Sequence, residues 1–245
     1  MKLVSVIIPC FNHGEFIEEC LESVYKQSYK NIEIIVVDDG STDQNTINII
    51  DRLATSKKFT LIRKVNGGLS SARNEGIRNA NGYFILPLDS DYLIANNYIE
   101  LAVKLFEKEN DLSIVYGKAR KFGVVESLWN LPKHSNFRIK FGNTIYCSAL
   151  FKKGDWVAVG GYDENLKRGF EDWDFWISII KRGGKVRKIN DVMFYYRQSE
   201  TSMVKKMTPE VKASIHKYVM KKHKDFFHIN LPLSFIKFYY CFLSK

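Results

Sequence analysis

Short, uninterrupted apolar runs alternate with segments of helical spacing through the first ninety residues, and no other feature restricts the fold as much. Residues 3–8, Leu-Val-Ser-Val-Ile-Ile, end at Pro9 and lack the polar alternation of a strand with one wet face. Such a run predicts a strand buried on both sides, the habit of parallel sheets covered by helices. Ile17, Cys20, Leu21 and Val24 then recur at helical spacing behind Glu15, Glu18 and Glu19, acids that suit a helix N-terminus. The unit repeats. Residues 32–37 form a second apolar run ending in Asp38-Asp39-Gly40-Ser41, and Asp43 is placed to cap a helix carrying Ile47, Ile50 and Leu53. A third strand at 59–63, a turn at Asn66-Gly67-Gly68, a helix to about residue 80 and a fourth strand at 83–88 continue the pattern. The expected class is α/β, with a mostly parallel central sheet flanked by helices.

Ligands of such sheets bind beyond the carboxyl ends of the strands. Polar residues stand at three of those ends: Phe11 and Asn12, then Asp38 and Asp39, then Asp89 and Asp91. Downstream, a helix at 96–108 and a strand at 112–116 are expected, and 117–143 reads as loops with a flap facing an acceptor. A strand around 144–151, a turn at 160–164, a helix from Glu171 to about residue 182 and a strand near 192–197 close the domain.

Asp89 and Asp91 follow a strand at a two-residue separation, which sends both carboxylates to one side of extended backbone. Hard oxygen ligands of this kind suit Mg²⁺ or Mn²⁺ on a diphosphate, although an acidic turn has the same composition. Glu171-Asp172-Trp173-Asp174 opens a helix, where acids either complement the dipole or supply a base. Asp172 is the first candidate for that base, with Glu171 or Asp174 as substitute or orienting group. Arg73 is placed to meet a phosphate or to brace a loop, Phe11 to stack on a base or to join the core, and Asp39 to accept from a uracil imide or to shape its turn.

Other chemistries are disfavoured. The five histidines show no metal-ligand spacing, no nucleophile elbow or P-loop is present, and the first strand lacks the glycine fingerprint of a dinucleotide site. Cys10, Cys20, Cys147 and Cys241 are far apart, as expected of reduced, mostly buried thiols in the cytosol. Residues 1–9 carry no secretory apolar core, and no run of 18 apolar residues occurs, so a spanning helix is not expected.

In order along the chain, Val4-Ser-Val-Ile-Ile-Pro-Cys-Phe-Asn12, Val36-Val-Asp-Asp-Gly-Ser-Thr-Asp43, Asn66-Gly-Gly-Leu-Ser-Ser-Ala-Arg-Asn74, Asp89-Ser-Asp91, Gly160-Gly-Tyr-Asp-Glu164, Phe170-Glu-Asp-Trp-Asp174 and Tyr196-Arg197 resemble the motifs of family 2 inverting glycosyltransferases, of the bacterial polysaccharide, O-antigen or capsule type. The similarity covers about residues 3–202. It implies a GT-A fold with a Rossmann-like nucleotide-binding half and a UDP-sugar donor. Pro9, Phe11, Asn12, Asp39, Arg73 and Asp89 would then lie near uridine and phosphate. Asp91, with Asp89, would hold Mn²⁺ or Mg²⁺, and Asp172, with Glu171 beside it, would be the base of a single inverting displacement onto a saccharide hydroxyl. Two positions depart from the pattern: Gln198 and Ser199 stand where many relatives have a histidine, and Tyr92 replaces an aspartate.

The resemblance divides the chain into a transferase domain at 1–204, with nucleotide-sugar binding in 1–95 and acceptor and base in 96–204, and a helical basic tail at 205–245. That tail carries nine lysines against Glu210 and Asp225, most of the net charge of +10. Tyr218, Phe226, Phe227, Phe235, Phe238, Tyr239, Tyr240 and Phe242 are interleaved with those lysines, a composition suited to an anionic membrane interface. Peripheral attachment to the inner face of the cell membrane is therefore expected, with a polyprenyl-diphosphate-linked saccharide as acceptor and no nucleic acid partner. The competing readings are a polyprenyl-phosphate sugar transferase and a non-catalytic nucleotide or nucleic-acid binding module.

Overall fold

The computed structural model describes residues 1–198 and 207–227. Its first half follows the sequence pattern closely: β1 (Val4–Cys10), α1 (Gly14–Tyr25), β2 (Ile32–Asp38), α2 (Gln44–Ala54), β3 (Thr60–Arg63), α3 (Leu69–Asn79) and β4 (Phe84–Pro87). All seven residues of β1 are buried, as its apolar run requires. Asp43 caps α2 by accepting from the Thr46 N–H at 2.8 Å.

The second half contains β5 (Leu93–Ile94), α4 (Tyr98–Lys108), β6 (Leu112–Gly123), β7 (Ser127–Trp129), a 3₁₀ turn at Arg138–Lys140, β8 (Leu150–Lys152), α5 (Lys153–Val159), α6 (Glu171–Ile180), β9 (Lys185–Gln198) and α7 (Pro209–Lys222). One sheet runs in the order β3-β2-β1-β4-β8-β6-β9-β5, with β7 paired to β6. The pairings leave β1, β2, β3, β4, β6 and β9 running one way and β5, β7 and β8 against them. The sheet is thus mostly parallel, with antiparallel strands confined to its second half.

Alternate residues of β1 serve opposite faces, as the period of a strand demands. Val4, Val6, Ile8 and Cys10 pack with Ile17, Leu21 and Val24 of α1 and with Tyr98, Ala102 and Phe106 of α4. Ile7 joins the other layer, where α3 gives Ala72 and Ile77 and α6 gives Trp173, Phe175, Trp176 and Ile177. In register, Cys10 of β1 meets Asp38 of β2, whereas β4 stops pairing with β1 at Ile7. The carboxyl ends therefore stop at a common edge, and Pro9, without an N–H, sits where β1 has lost its β4 neighbour.

Three expectations change. The region expected as loops at 117–143 contains the end of β6 and the β6–β7 hairpin; register shifts near Tyr116, Lys118 and Ala119 interrupt the alternation that would have signalled a strand. Of the expected strand at 144–151 only Leu150 and Phe151 are in a strand, as the start of β8, and α5, unforeseen, buries none of its residues and ends on left-handed Gly160 at φ 80°. The tail reading also needs correction where it is described. Val219 is fully buried in the second core, Phe226 and Phe227 pack against that core, and the Tyr218 hydroxyl donates to Asp163 at 2.9 Å. These residues hold α7 to the domain and are not all available to a membrane; Phe235, Phe238, Tyr239, Tyr240 and Phe242 lie outside the described residues.

Candidate active site

The carboxyl ends of β1, β2 and β4, the N-terminus of α6 and the last residues of β9 enclose a cleft of about 570 Å³. Asp89 begins a tight turn closed by the Tyr92 N–H donating to its carbonyl at 2.9 Å. The pair was expected on extended backbone; the turn replaces it, and both Asp89 and Asp91 still line the cleft. Ser90 between them is buried.

Arg73 is the hub. Its residue is 1% exposed, on the inward face of α3. Nη1 donates to Glu171 Oε1 and Nη2 to Asp89 Oδ1, each at 2.6 Å. The guanidinium therefore ties the β4 turn to the start of α6, residues 82 positions apart in sequence brought together by one buried cation. Such a cation is tolerated inside because two carboxylates and the Tyr162 ring, 5.5 Å from Cζ, surround it. Of the two roles open to Arg73 in the sequence, bracing is the one its contacts fill; both terminal nitrogens are committed to protein. Glu171 is correspondingly the partner of Arg73, an orienting group in place of a second free base.

Asp172 lies at the cleft, with Oδ2 accepting from Asn143 Nδ2 at 2.7 Å and Oδ1 from the Trp173 N–H at 2.8 Å. Burial, and then the charge of Glu171, push its carboxyl up to about 7, against the pull of Arg73. Burial and the neighbouring Asp89 likewise push Asp91 up to about 7. No lysine or arginine forms an ion pair with Asp91 among the described residues; Arg197 donates to its backbone carbonyl at 3.2 Å and pairs with Glu19.

Two acids held close at a cleft, one of them raised by the other, fit a divalent cation. Mg²⁺ and Mn²⁺ are commonly bound by one or two carboxylates together with substrate phosphates, and Asp91 and Asp89 offer that set. Among the described residues no group of three or more His, Cys, Asp or Glu is arranged to hold a metal alone. Cys10, whose thiol burial pushes up to about 11, is too weakly acidic to act as a nucleophile.

Where β1 and β2 end, Pro9 and Phe11 line the cleft and the Phe11 side chain is largely open, the residue being 44% exposed. Asp39 also lines it. Its Oδ1 accepts from Lys64 Nζ and Gly67 N–H and its Oδ2 from Gly68 N–H, at 2.8 to 3.0 Å, so it shapes the loop before α3 while Oδ2 retains a lone pair. Asn12 does not line the cleft. Its backbone is left-handed at φ 54°, and its side chain holds residues 42 and 43 through Thr42 N–H, Asp43 N–H and the Thr42 hydroxyl. The contacts that the Asn12 side chain makes are those of a loop pin.

The sequence pattern described as Glycosyl transferase family 2 matches residues 5–165, which include all of β1 after Val4, the Asp89 turn and Arg73. The chain belongs to that family. Chondroitin synthase of Pasteurella multocida (strain Pm70) is 29% identical over 199 residues, 79% of this chain and 20% of that protein. The Escherichia coli UDP-Glc:alpha-D-GlcNAc-diphosphoundecaprenol beta-1,3-glucosyltransferase WfaP is 33% identical over 202 residues, 80% of this chain and 78% of that one. The chain thus spans about a fifth of the Pasteurella synthase and most of WfaP. In fold it matches S. aureus TarS in complex with UDP-GlcNAc, at a TM-score of 0.75 and 22% identity over 96% of this chain and 69% of that one. It matches the mannosyltransferase PcManGT of Pyrobaculum calidifontis, in complex with GDP-Man and Mn²⁺, at 0.69 and 20% over 97% and 68%. The family 2 chain therefore has the GT-A fold.

Of the residues at this cleft, Trp129 and Lys121 escaped the sequence, and nothing in it showed that Tyr92, Tyr196 and Gln198 stand beside them. Trp129 of β7, Lys121 of β6, Tyr196 and Gln198 of β9 and Tyr92 form the far wall of the cleft. The Trp129 and Tyr196 rings lie 4.6 Å apart, and those of Tyr92 and Tyr196 4.8 Å apart. Tyr92, which stands at a family aspartate position, makes this end aromatic. The available signal was the run Trp129 and Tyr195-Tyr196 near an acidic turn, but only the β6–β9 pairing places these strands at the cleft.

Proposed function

We propose that this family 2 glycosyltransferase moves a sugar from a UDP-sugar to a hydroxyl of a saccharide acceptor by one inverting displacement, in cell-surface polysaccharide synthesis. The observation that carries the reading is the Arg73 bridge, because it holds the Asp89–Asp91 turn and the Asp172 helix against one cleft. A displacement needs a grip on the leaving group at one side of the anomeric carbon and a base at the other. Phe11 and Asp39 supply a flat ring and an acceptor for a pyrimidine. A divalent cation held by Asp91 and Asp89 would supply Lewis-acid stabilisation of the departing diphosphate.

The steps assigned to the chain follow. The acceptor oxygen forms a bond to the anomeric carbon as the bond from that carbon to the diphosphate oxygen breaks, with its electron pair leaving on UDP. Asp172 takes the hydroxyl proton, and an α-linked donor gives a β-linked product. An acidity poised near 7 suits this role, since a general base works best when its pKa lies near the operating pH. A phosphate acceptor is already deprotonated and needs no such base, so Asp172 favours a hydroxyl acceptor over polyprenyl phosphate. The aromatic wall of Trp129, Tyr196 and Tyr92 supports a sugar acceptor, whose apolar ring face suits aromatic contact. WfaP acts, by its name, on a diphosphoundecaprenol-linked GlcNAc, and TarS has been solved with UDP-GlcNAc; both support a UDP-sugar donor, and WfaP alone supports a lipid-linked acceptor.

Peripheral binding at the cytoplasmic face of the membrane belongs to the same proposal, carried by lysines and aromatics after residue 227. No helix among the described residues is long and apolar enough to cross a membrane. Because α7 is part of the packed domain, the deletion that tests the tail ends at residue 227 and not before α7. Retained flotation with anionic liposomes in that variant counts against the membrane role.

The deciding experiment is a thermal-shift panel of UDP-, GDP- and TDP-sugars with and without Mn²⁺, followed by product stereochemistry with the selected donor. A UDP-sugar that raises the melting temperature only with metal, and a product of inverted anomeric configuration, are expected. Stabilisation by GDP-sugars alone, or retained configuration, overturns the assignment.

A further inference from the structure

The acid two residues beyond the proposed base is not at the cleft. Positions 172 and 174 of α6 lie about 200° apart around the helix, so Asp172 meets the cleft while Asp174 faces away. Asp174 is 1% exposed, and both of its oxygens are taken by α7 and the residue that follows it: Oδ1 by His223 Nε2 at 2.8 Å and Oδ2 by Lys222 Nζ at 2.7 Å. Lys222 also reaches Asp163 Oδ2 at 2.7 Å, so one ammonium ties α6 to the turn before it. His216, about two helical turns before His223, packs its ring against Phe170 at 5.1 Å and Trp173 at 4.7 Å. Phe170 enters α6 with a left-handed backbone, φ 63°, a conformation that persists in a bulky residue only where its surroundings hold it.

We infer that Asp174 is a positioning residue: through Lys222 and His223 it locks the first turn of α6 onto α7, and this lock sets where Asp172 sits. The inference rests on the reading of Asp172 as base. It makes α7 a working part of the site, although α7 lies outside the family match at 5–165 and contributes nothing to the cleft lining. A buried carboxylate is stable only with its partners present, so losing either partner shifts the turn that also carries Asp172. Phe11 and Asp39, at the base end of the donor, follow β1 and β2, and of the donor end only the Asp89 turn is tied to α6, through Arg73.

The test compares His223→Ala, His223→Gln and Lys222→Met in the full chain, with Asp172→Asn alongside, using the UDP-sugar selected by thermal shift. His223→Ala is expected to lower kcat about tenfold or more, since a displacement of about 1 Å can cost a hundredfold, with donor KM and UDP affinity changed less than about twofold. His223→Gln, which keeps a donor toward Asp174, restores most of the rate. Lys222→Met, at a half-exposed site, is the milder variant should His223→Ala fail to fold. Unchanged kcat in folded His223→Ala and Lys222→Met overturns the positioning role, as does a fall in donor affinity that matches the fall in kcat. If Asp172→Asn is inactive while His223→Ala turns over normally, only the positioning role fails. If Asp172→Asn keeps full activity, the base assignment has failed first.

Discussion

Replacing Arg73 by methionine tests the feature on which the site depends. The side chain is buried, its two terminal nitrogens each meet a carboxylate at 2.6 Å, and no other cation pairs with Glu171 among the described residues. Removing one partner from a buried ion pair costs about 3–5 kcal/mol, because a charge is left without water or counter-ion. Arg73 serves two carboxylates, but the Asp89 side chain is 18% exposed and can be rehydrated from the cleft, so the loss stays in that range and does not double. For a chain of this size about 1 kcal/mol shifts the melting temperature by about 2–4 °C, which puts the expected drop at about 6–20 °C. Arg73→Lys keeps a charge that reaches one carboxylate at a time and should fall between. Calorimetric melts of the three proteins at neutral pH and equal salt measure the effect, and UDP-sugar turnover of the surviving folded fraction measures the bridge. A drop of less than about 2 °C for Arg73→Met, or full turnover, would show that the bridge does not hold the two halves of the site together.

With Asp172 pushed up to about 7, kcat/KM should rise with pH through about 7 and level off above it, and Asp172→Asn should remove both the activity and the inflection. The sign for stability is opposite. Folded Asp172 and Asp91 hold protons that the unfolded chain releases near its ordinary carboxylate range, so stability falls as pH rises from about 4 to about 7. Metal-free melts should therefore show Asp91→Asn and Asp172→Asn more stable than the parent at pH 8, and the difference should vanish near pH 4. Phe11→Ala should weaken UDP binding about tenfold, from the loss of one base stack, with kcat nearly unchanged; isothermal titration checks it. Asn12→Ala should lower the melting temperature, by loss of the contacts to residues 42 and 43, while changing UDP affinity less than Phe11→Ala does.

Much of the fold was legible because local physics decides it. The apolar runs that became β1, β2 and β4 are too uniformly buried to be anything but central strands, and the helical spacing of Ile17, Leu21 and Val24 has one inward stripe. Strand direction then brings Phe11, Asp39 and Asp89 to one edge without knowledge of side-chain contacts. The bulged β6 was not legible, since register shifts erase the alternation that marks a strand. Neither was Asn12, whose type suited a ligand contact as well as the turn it actually pins.

What the sequence alone determined is the alternation of layers, the sheet edge at which the cleft lies, and the acids at the end of β4 and at the start of α6. The tertiary structure decided which of those acids are free to act: Arg73 claims Glu171 and one oxygen of Asp89, Lys222 of α7 and His223 claim Asp174, and Asp91 and Asp172 are left at the cleft with raised pKa values. The reason is physical. A strand or helix is selected by spacing within a few residues, whereas the state of a buried carboxylate depends on which cation the fold sets within about 3 Å of it, and that cation can come from any part of the chain.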